Sequence, residues 1–174
     1  MKKLIILIGT PGSGKSTWIK EHNLELYTVC PDELRILFSS VEKQTDGEYR
    51  ISQKHDRIVW DTFYTILTYR LSIGVTTVID ATSSRTKDLN DYKRFADAHG
   101  YEMIIIDFTE VPLETCLAQN KMRPAYKYVP EDVIRAIYAR YATQQIPNGV
   151  KLVDKNDEES IAELLKQEEI YNNK

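Results

Sequence analysis

Gly9-Thr10-Pro11-Gly12-Ser13-Gly14-Lys15-Ser16-Thr17 has the spacing G-x-x-x-x-G-K-[ST] of a phosphate-binding P-loop. Its flanks supply the required setting. Before it, Leu4-Ile5-Ile6-Leu7-Ile8 is a continuous apolar run of the kind that forms a strand buried on both faces. After it, Thr17-Trp18-Ile19-Lys20-Glu21 contains no breaker and reads as the opening of a helix. Gly9, Gly12 and Gly14 allow backbone angles that turn successive N–H groups toward a polyphosphate. The following helix points its positive end at the same anion. Lys15 is then expected to reach the β- and γ-phosphates of ATP, and the Ser16 hydroxyl to bind Mg²⁺.

Length and composition bound what else the chain can be. Its 174 residues, 42% hydrophobic and 28% charged, suit one soluble domain spanning 1–174. The apolar run after Met1-Lys2-Lys3 is too short for a signal peptide and leads straight into the P-loop. No run approaches a transmembrane length, so a cytoplasmic protein with no membrane partner is expected. Cys30 and Cys116 lie far apart with no C-x-x-C, which argues against a disulfide framework or zinc site and for buried thiols. A net charge of −3 excludes a duplex-coating protein. Seven acids against three bases fall from Asp154 onward, so the remainder is close to neutral and leaves room for a local site for a nucleic-acid end.

Past the first helix, Leu26 to Val29 reads as a second strand ending at Cys30-Pro31. Pro31 suits a first helical turn, and Asp32 to Ser39 a short helix with Leu34, Leu37 and Phe38 at core spacing. Asp32 and Arg35 share a face at its start, either as an intrahelical ion pair or as ligand-facing groups at a strand's carboxyl end. Gln44 to Tyr49, with its Asp46-Gly47 turn signal, reads as an exposed loop. A long amphipathic helix follows from Ser52 to Ser72, with Ile58, Val59, Phe63, Ile66, Leu67 and Leu71 on one stripe. Trp60, Tyr64 and Tyr69 on that helix suit packing better than base stacking.

Val75 to Asp80 is the next strand, ending in a carboxylate where a Walker-B-type acid would order the Mg²⁺ shell. Asp107, ending the strand that starts at Tyr101, is the rival, and Asp80 is preferred on fold analogy. Ala81-Thr82-Ser83-Ser84 would cap the helix that begins near Arg85, or donate hydroxyls to a substrate phosphate. Helices are expected from Thr86 to His99, from Pro112 to Asn120 and from Glu131 to Thr143. Val150 to Val153 is a last strand, and an acidic helix from Asp157 to Tyr171 closes the chain. Between two of the helices, residues 119–130 carry Lys121, Arg123 and Lys127. Such a segment can close over a nucleotide, with Arg123 on the transferring phosphoryl group, unless its cations are simply solvated. The fold class is therefore α/β, a central parallel sheet of four to five strands flanked by helices, with a helical lid. His22, His55 and His99 are scattered and suggest no ligand set.

The opening residues resemble the start of the 5′-hydroxyl polynucleotide kinase domain of bacteriophage end-healing enzymes. The likeness continues through Asp32-Glu33-Leu34-Arg35, similar to the family's D-x-x-R element, and Asp80-Ala81-Thr82-Ser83, similar to its D-x-T-N turn. Asn120-Lys121-Met122-Arg123 with Val129-Pro130 resembles its lid, and Asp132 to Tyr138 the helix after it. The resemblance implies a P-loop kinase fold and transfer of the γ-phosphoryl of ATP to a 5′-OH end of DNA or RNA. It makes Asp32 the general base, Arg35 the holder of the terminal nucleotide's 3′-side phosphate, and Thr82 a neighbour of the acceptor strand. Lys15 and Arg123 would stabilise the transition state. Residues 9–17 and Arg123 would bind the nucleotide, and Ser16 and Asp80 the Mg²⁺. An expected setting is a host cytoplasm; the oligomer is left open.

Two departures stand out: Gln119 replaces a basic residue that often opens the lid, and Ser83 replaces the Asn of the turn. No D-x-D-G-T phosphatase motif follows, so removal of 3′-phosphates is not expected. Two other readings share the P-loop. One is a small-molecule kinase, zeta-toxin-like or related to antibiotic phosphotransferases, and the other a nucleotide-binding module without transfer chemistry. A GTPase is disfavoured, because Asn120-Lys121-Met122-Arg123 has Arg where a guanine-reading N-K-x-D needs Asp.

Overall fold

The computed structural model describes residues 2–166. Strand β1 (Lys3–Ile8) is the centre of the molecule, buried at every position. Its apolar run is continuous because both faces are covered. Leu4, Ile6 and Ile8 point into one core with Val59, Phe63 and Tyr92. Ile5 and Leu7 point into a second core with Trp18, Ile104 and Ile161. Each fully buried aliphatic side chain contributes on the order of 2 kcal/mol, so this alternation fixes the strand's register and depth.

Around β1 lie β2 (Thr28–Val29), β5 (Thr77–Asp80), β6 (Glu102–Asp107) and β7 (Lys151–Asp154), in the order β2-β5-β1-β6-β7. All four pairings are parallel. The expected α/β architecture is thus observed, a five-stranded parallel sheet flanked by helices. Register sets the ends of the neighbouring strands beside the P-loop, with Leu7 opposite Asp80 and Ile8 opposite Asp107. Carboxyl ends of strands at a switch in strand order are where open α/β sheets bind ligands.

The helices follow the sequence pattern closely. They are α1 (Lys15–Glu21), α2 (Pro31–Ser39), α3 (Asp56–Ser72), α4 (Thr86–Ala98), α5 (Leu113–Lys121), α6 (Glu131–Tyr141) and α7 (Glu158–Lys166). The remainder of the closing helix expected up to Tyr171 lies outside the described residues. Among the described residues no helix is long and apolar enough to cross a membrane.

Four local expectations are corrected. The expected loop at 44–49 is the turn of an antiparallel hairpin, β3 (Val41–Lys43) and β4 (Tyr49–Ile51). Asp46 caps that turn by accepting the Glu48 N–H at 3.0 Å. Accordingly α3 begins at Asp56 rather than Ser52, and Ile58 is exposed although Val59, Phe63, Leu67 and Leu71 are buried. On α2, Leu37 and Phe38 face solvent, because the inner face is occupied by Leu34 and the buried Arg35. The Ala81–Ser84 turn supplies no side-chain cap to α4. Instead Ser83 sits buried at φ 46, and Gln144 Nε2 donates to its carbonyl at 2.6 Å. Of the two thiols, Cys116 is buried and Cys30 is half-buried, and both are free.

Gly12 joins the P-loop to α5. A Cβ on it would stand 2.3 Å from the Cys116 carbonyl oxygen, at φ +85, whereas a Cβ on Gly14 at φ +100 would meet nothing within 4 Å. Gly12→Ala is therefore expected to destabilise the fold by about 2–4 kcal/mol, and Gly14→Ala by about 1–2 kcal/mol from backbone strain alone. Urea denaturation of the two variants measures the difference; equal losses would show that the contact with α5 carries no stability.

Candidate active site

Gly14 ends the loop, and α1 begins with no side-chain cap and no acid in its first turn. No cap or acid of α1 itself therefore competes for an anion there. Lys15 is 8% exposed, and its Nζ donates to the Gly9 carbonyl at 2.6 Å and the Thr10 carbonyl at 3.1 Å. Burial lowers its pKa; the Asp80 carboxylate opposes that shift, and Arg123 adds to it. The loop thus holds a desolvated cation between one carboxylate and one guanidinium.

Ser16 Oγ donates to Asp80 Oδ2 at 2.8 Å. The end of α1 and the end of β5 are thereby joined through two oxygen atoms of the hard type that Mg²⁺ takes. Among the described residues no cluster of three or more His, Cys, Asp or Glu could hold a metal by itself. The Ser16–Asp80 pair fits an ion that completes its shell with water and phosphate oxygens. The rival Asp107 lies across β1, and its Oδ1 accepts the Thr109 N–H at 2.7 Å.

Asp32 and Arg35 open α2, and of the two alternatives their spacing posed the structure shows the intrahelical ion pair. Arg35 Nη1 donates to Asp32 Oδ1 and Arg35 Nε to Asp56 Oδ1, each at 2.8 Å. The Asp32 side chain is nevertheless 48% exposed. Both residues line a cavity of about 790 Å³ together with Pro11 of the P-loop, Asp80 and Thr82. Cys30, beside them, has its thiol pushed up to about 12, by burial first and then by Asp80 and Asp32, so it stays protonated and is no nucleophile at neutral pH.

On the other side of the P-loop, a cavity of about 400 Å³ is lined by Ser13, Asp107, Pro112, Gln119 and Asp154. The segment between α5 and α6 lines the larger cavity with Tyr126, Lys127 and Tyr128. Its root is pinned by the fully buried Asn120, whose Nδ2 donates to the Val129 carbonyl at 2.8 Å and whose Oδ1 accepts the Val129 N–H at 3.1 Å. Arg123, between those pinned ends, keeps Nη1 buried with no hydrogen-bond partner.

Three participants had no signal in the sequence. Asp56 is the second partner of Arg35, and only the packing of α3 on α2 reveals it. Tyr141, at the end of α6, accepts the Gly9 N–H at 3.1 Å and donates to the Thr82 carbonyl, bridging the P-loop and the β5–α4 turn. Asn120 stood next to a conspicuous Lys-Met-Arg, but nothing in its own context marked it as buried.

A family model for an AAA domain matches residues 4–144. The chain belongs to this family. Its α/β fold is that of a P-loop kinase domain. Solved structures agree on the fold. A protein of the Pnkp1/Rnl/Hen1 RNA repair complex superimposes with a TM-score of 0.65 at 21% identity, over 82% of this chain and 44% of its own. A candidate kinase from Chloroflexus aurantiacus gives 0.61 at 16% identity, over 95% and 97%. Kti12 of Chaetomium thermophilum in complex with ADP-AlF3 gives 0.59 at 14%, over 94% and 95%. The chain spans less than half of the repair-complex protein it matches.

The position of Lys15 has a consequence for pH. Phosphate binding stabilises the protonated amine, so binding is full below the amine's pKa in the free protein and weakens as pH rises through it. Because burial has lowered that pKa from 10.5, ATP affinity is expected to fall at a pH below the ordinary lysine range. Titration calorimetry at rising pH measures this; a loss of affinity confined to the ordinary lysine range would contradict it.

Proposed function

We propose that this protein is an ATP-dependent kinase that phosphorylates the 5′-hydroxyl end of a nucleic acid. The observation that carries the proposal is the cavity of about 790 Å³ that starts at Pro11 and has Asp32, Arg35 and Thr82 on its wall. It gives an acceptor hydroxyl direct access to the end of a triphosphate seated in the P-loop. The size suits an acceptor of nucleotide dimensions or larger.

In this reading the triphosphate lies along the N–H groups of residues 9–17, with its nucleoside in the cleft beside Gln119. Lys15 leaves the Gly9 and Thr10 carbonyls for the β- and γ-phosphates. Mg²⁺, held through Ser16 and Asp80, would neutralise charge on the same oxygens. Asp32 uses its free oxygen to take the proton from the attacking hydroxyl, while the bond from Arg35 fixes the carboxylate's orientation. Arg35 still has Nη2 to offer the acceptor's 3′-side phosphate. Arg123, whose Nη1 has no partner within the protein, meets the charge that spreads over the transferring group. Catalysis is then positioning and electrostatics, as phosphoryl transfer requires.

One observation favours a second reading, a small-molecule kinase. Arg35 faces two carboxylates, which leaves its surroundings net negative and weakens any hold on an acceptor phosphate. A hydroxyl acceptor without phosphate, such as a sugar or nucleoside, suits that balance. The two readings separate on one panel: 5′-OH DNA and RNA oligonucleotides, nucleosides and sugars, each incubated with γ-labelled ATP and Mg²⁺. Label on the oligonucleotides supports the first; label on sugars or nucleosides alone supports the second.

Asp32→Ala is expected to lower transfer by roughly 10²- to 10⁴-fold and Arg123→Ala by roughly 10³- to 10⁵-fold, with thermal unfolding near that of the parent protein. Near-normal transfer by Asp32→Ala rejects it as the base. Arg35→Ala is expected to impair oligonucleotide phosphorylation more than basal ATP hydrolysis, and an equal loss in both assays removes it from the acceptor site.

A further inference from the structure

The hairpin that the sequence conceals forms part of the wall of the acceptor cavity. Arg50, Ser52 and Lys54 line it from the hairpin side, and Tyr126, Lys127 and Tyr128 from the lid turn. The two walls touch: the Arg50 guanidinium lies over the Tyr128 ring, 5.5 Å from its centroid. This cation–π contact brings the cations at 50 and 127 together on the wall of the cavity that Asp32 and Arg35 also line.

The charges around the cavity are not equally free. Arg35 is shared by Asp32 and Asp56, and Lys54 Nζ is paired with Glu42 at 2.7 Å. Arg50 is only partly used: Nη1 meets Asp46 at 2.7 Å, but Nε is buried with no hydrogen-bond partner. Asp46 is the one ion-pair partner of Arg50 among the described residues, and the side chain reaches the cavity wall, so charge remains there for an acceptor phosphate. Lys127 faces the Tyr126 ring at 6.0 Å and has no carboxylate partner among the described residues. The wall thus offers a planar fork and a point charge beside aromatic faces, a combination that holds a single-stranded phosphodiester and stacks its base.

The geometry points to a second phosphate subsite at Arg50 and Lys127, which takes the phosphate one nucleotide beyond the one assigned to Arg35. This rests on the acceptor reading given above and extends it. The preferred acceptor is a single-stranded 5′-OH oligonucleotide of at least two nucleotides, rather than a mononucleotide. The subsite is a specificity device, since neither side chain is assigned to the reacting groups.

The test compares two acceptors that differ by one unit: a nucleoside 3′-monophosphate and a dinucleotide carrying a 3′-phosphate. In the parent protein the dinucleotide is expected to have at least a tenfold higher kcat/KM. Arg50→Gln and Lys127→Gln each reduce that advantage about tenfold, and Arg50→Lys restores part of it. In the same variants the slope of log KM for the dinucleotide against log salt falls by about 0.7, the share of one phosphate contact on a single strand. The subsite is overturned if the parent protein uses both acceptors equally. It is also overturned if the Gln variants lose equally on both, the mark of a hairpin that has merely lost its shape. Transfer to neither acceptor by the parent protein overturns the function proposed above and the subsite with it.

Discussion

The whole arrangement depends on burying β1 on both faces while its carboxyl end opens into a loop that needs exposed backbone donors. A strand so enclosed cannot shift by one residue, because every side chain would change cores. Its end is therefore a fixed point. The parallel register then sets Asp80 on one side and Asp107 on the other, and leaves Ser16 within 2.8 Å of Asp80. Hydrophobic burial in the middle of the sheet supplies the rigidity that electrostatic chemistry at its edge requires.

Much of this was legible in the sequence because it rests on local rules. The P-loop spacing, the double-faced apolar strand and the carboxylate ending the Val75 to Asp80 segment each announce a position along the chain. The sheet and its helices follow from them, whereas the choice of Asp80 over Asp107 rests on fold analogy, because both strands end in a carboxylate. What stayed hidden depends on contacts between distant segments. Arg35 is buried although charged, because Asp56 reaches it from α3, and that displaces Leu37 and Phe38 from an inner face their spacing had promised. The hairpin was missed for a different reason. Its strands are three residues each, too short to show alternation, and only the Asp46-Gly47 turn was visible.

Electrostatics explains why the loop is poised rather than inert. Lys15 rests on two carbonyls of its own loop, a satisfied but desolvated state, with Asp80 favouring its charge and Arg123 opposing it. Two cations near each other without an anion between them repel; a polyphosphate converts that repulsion into two attractions. The loop is thus better matched to its ligand than to itself, which makes affinity sensitive to the lysine's protonation.

The lid and the loop are mechanically linked at both ends of α6. At the near end, Asn120 fixes Val129 through two hydrogen bonds, and the same α5 carries the Cys116 carbonyl against which Gly12 packs. At the far end, Tyr141 joins the Gly9 N–H to the Thr82 carbonyl. A helix held this way cannot tilt without disturbing the P-loop and the β5–α4 turn together. Between the Asn120 pin and Val129 the chain carries Arg123, so the position of its guanidinium is set by a short segment tied at both ends. The sequence shows the arginine but not what fixes its surroundings, because that comes from an amide and a phenol on two different helices.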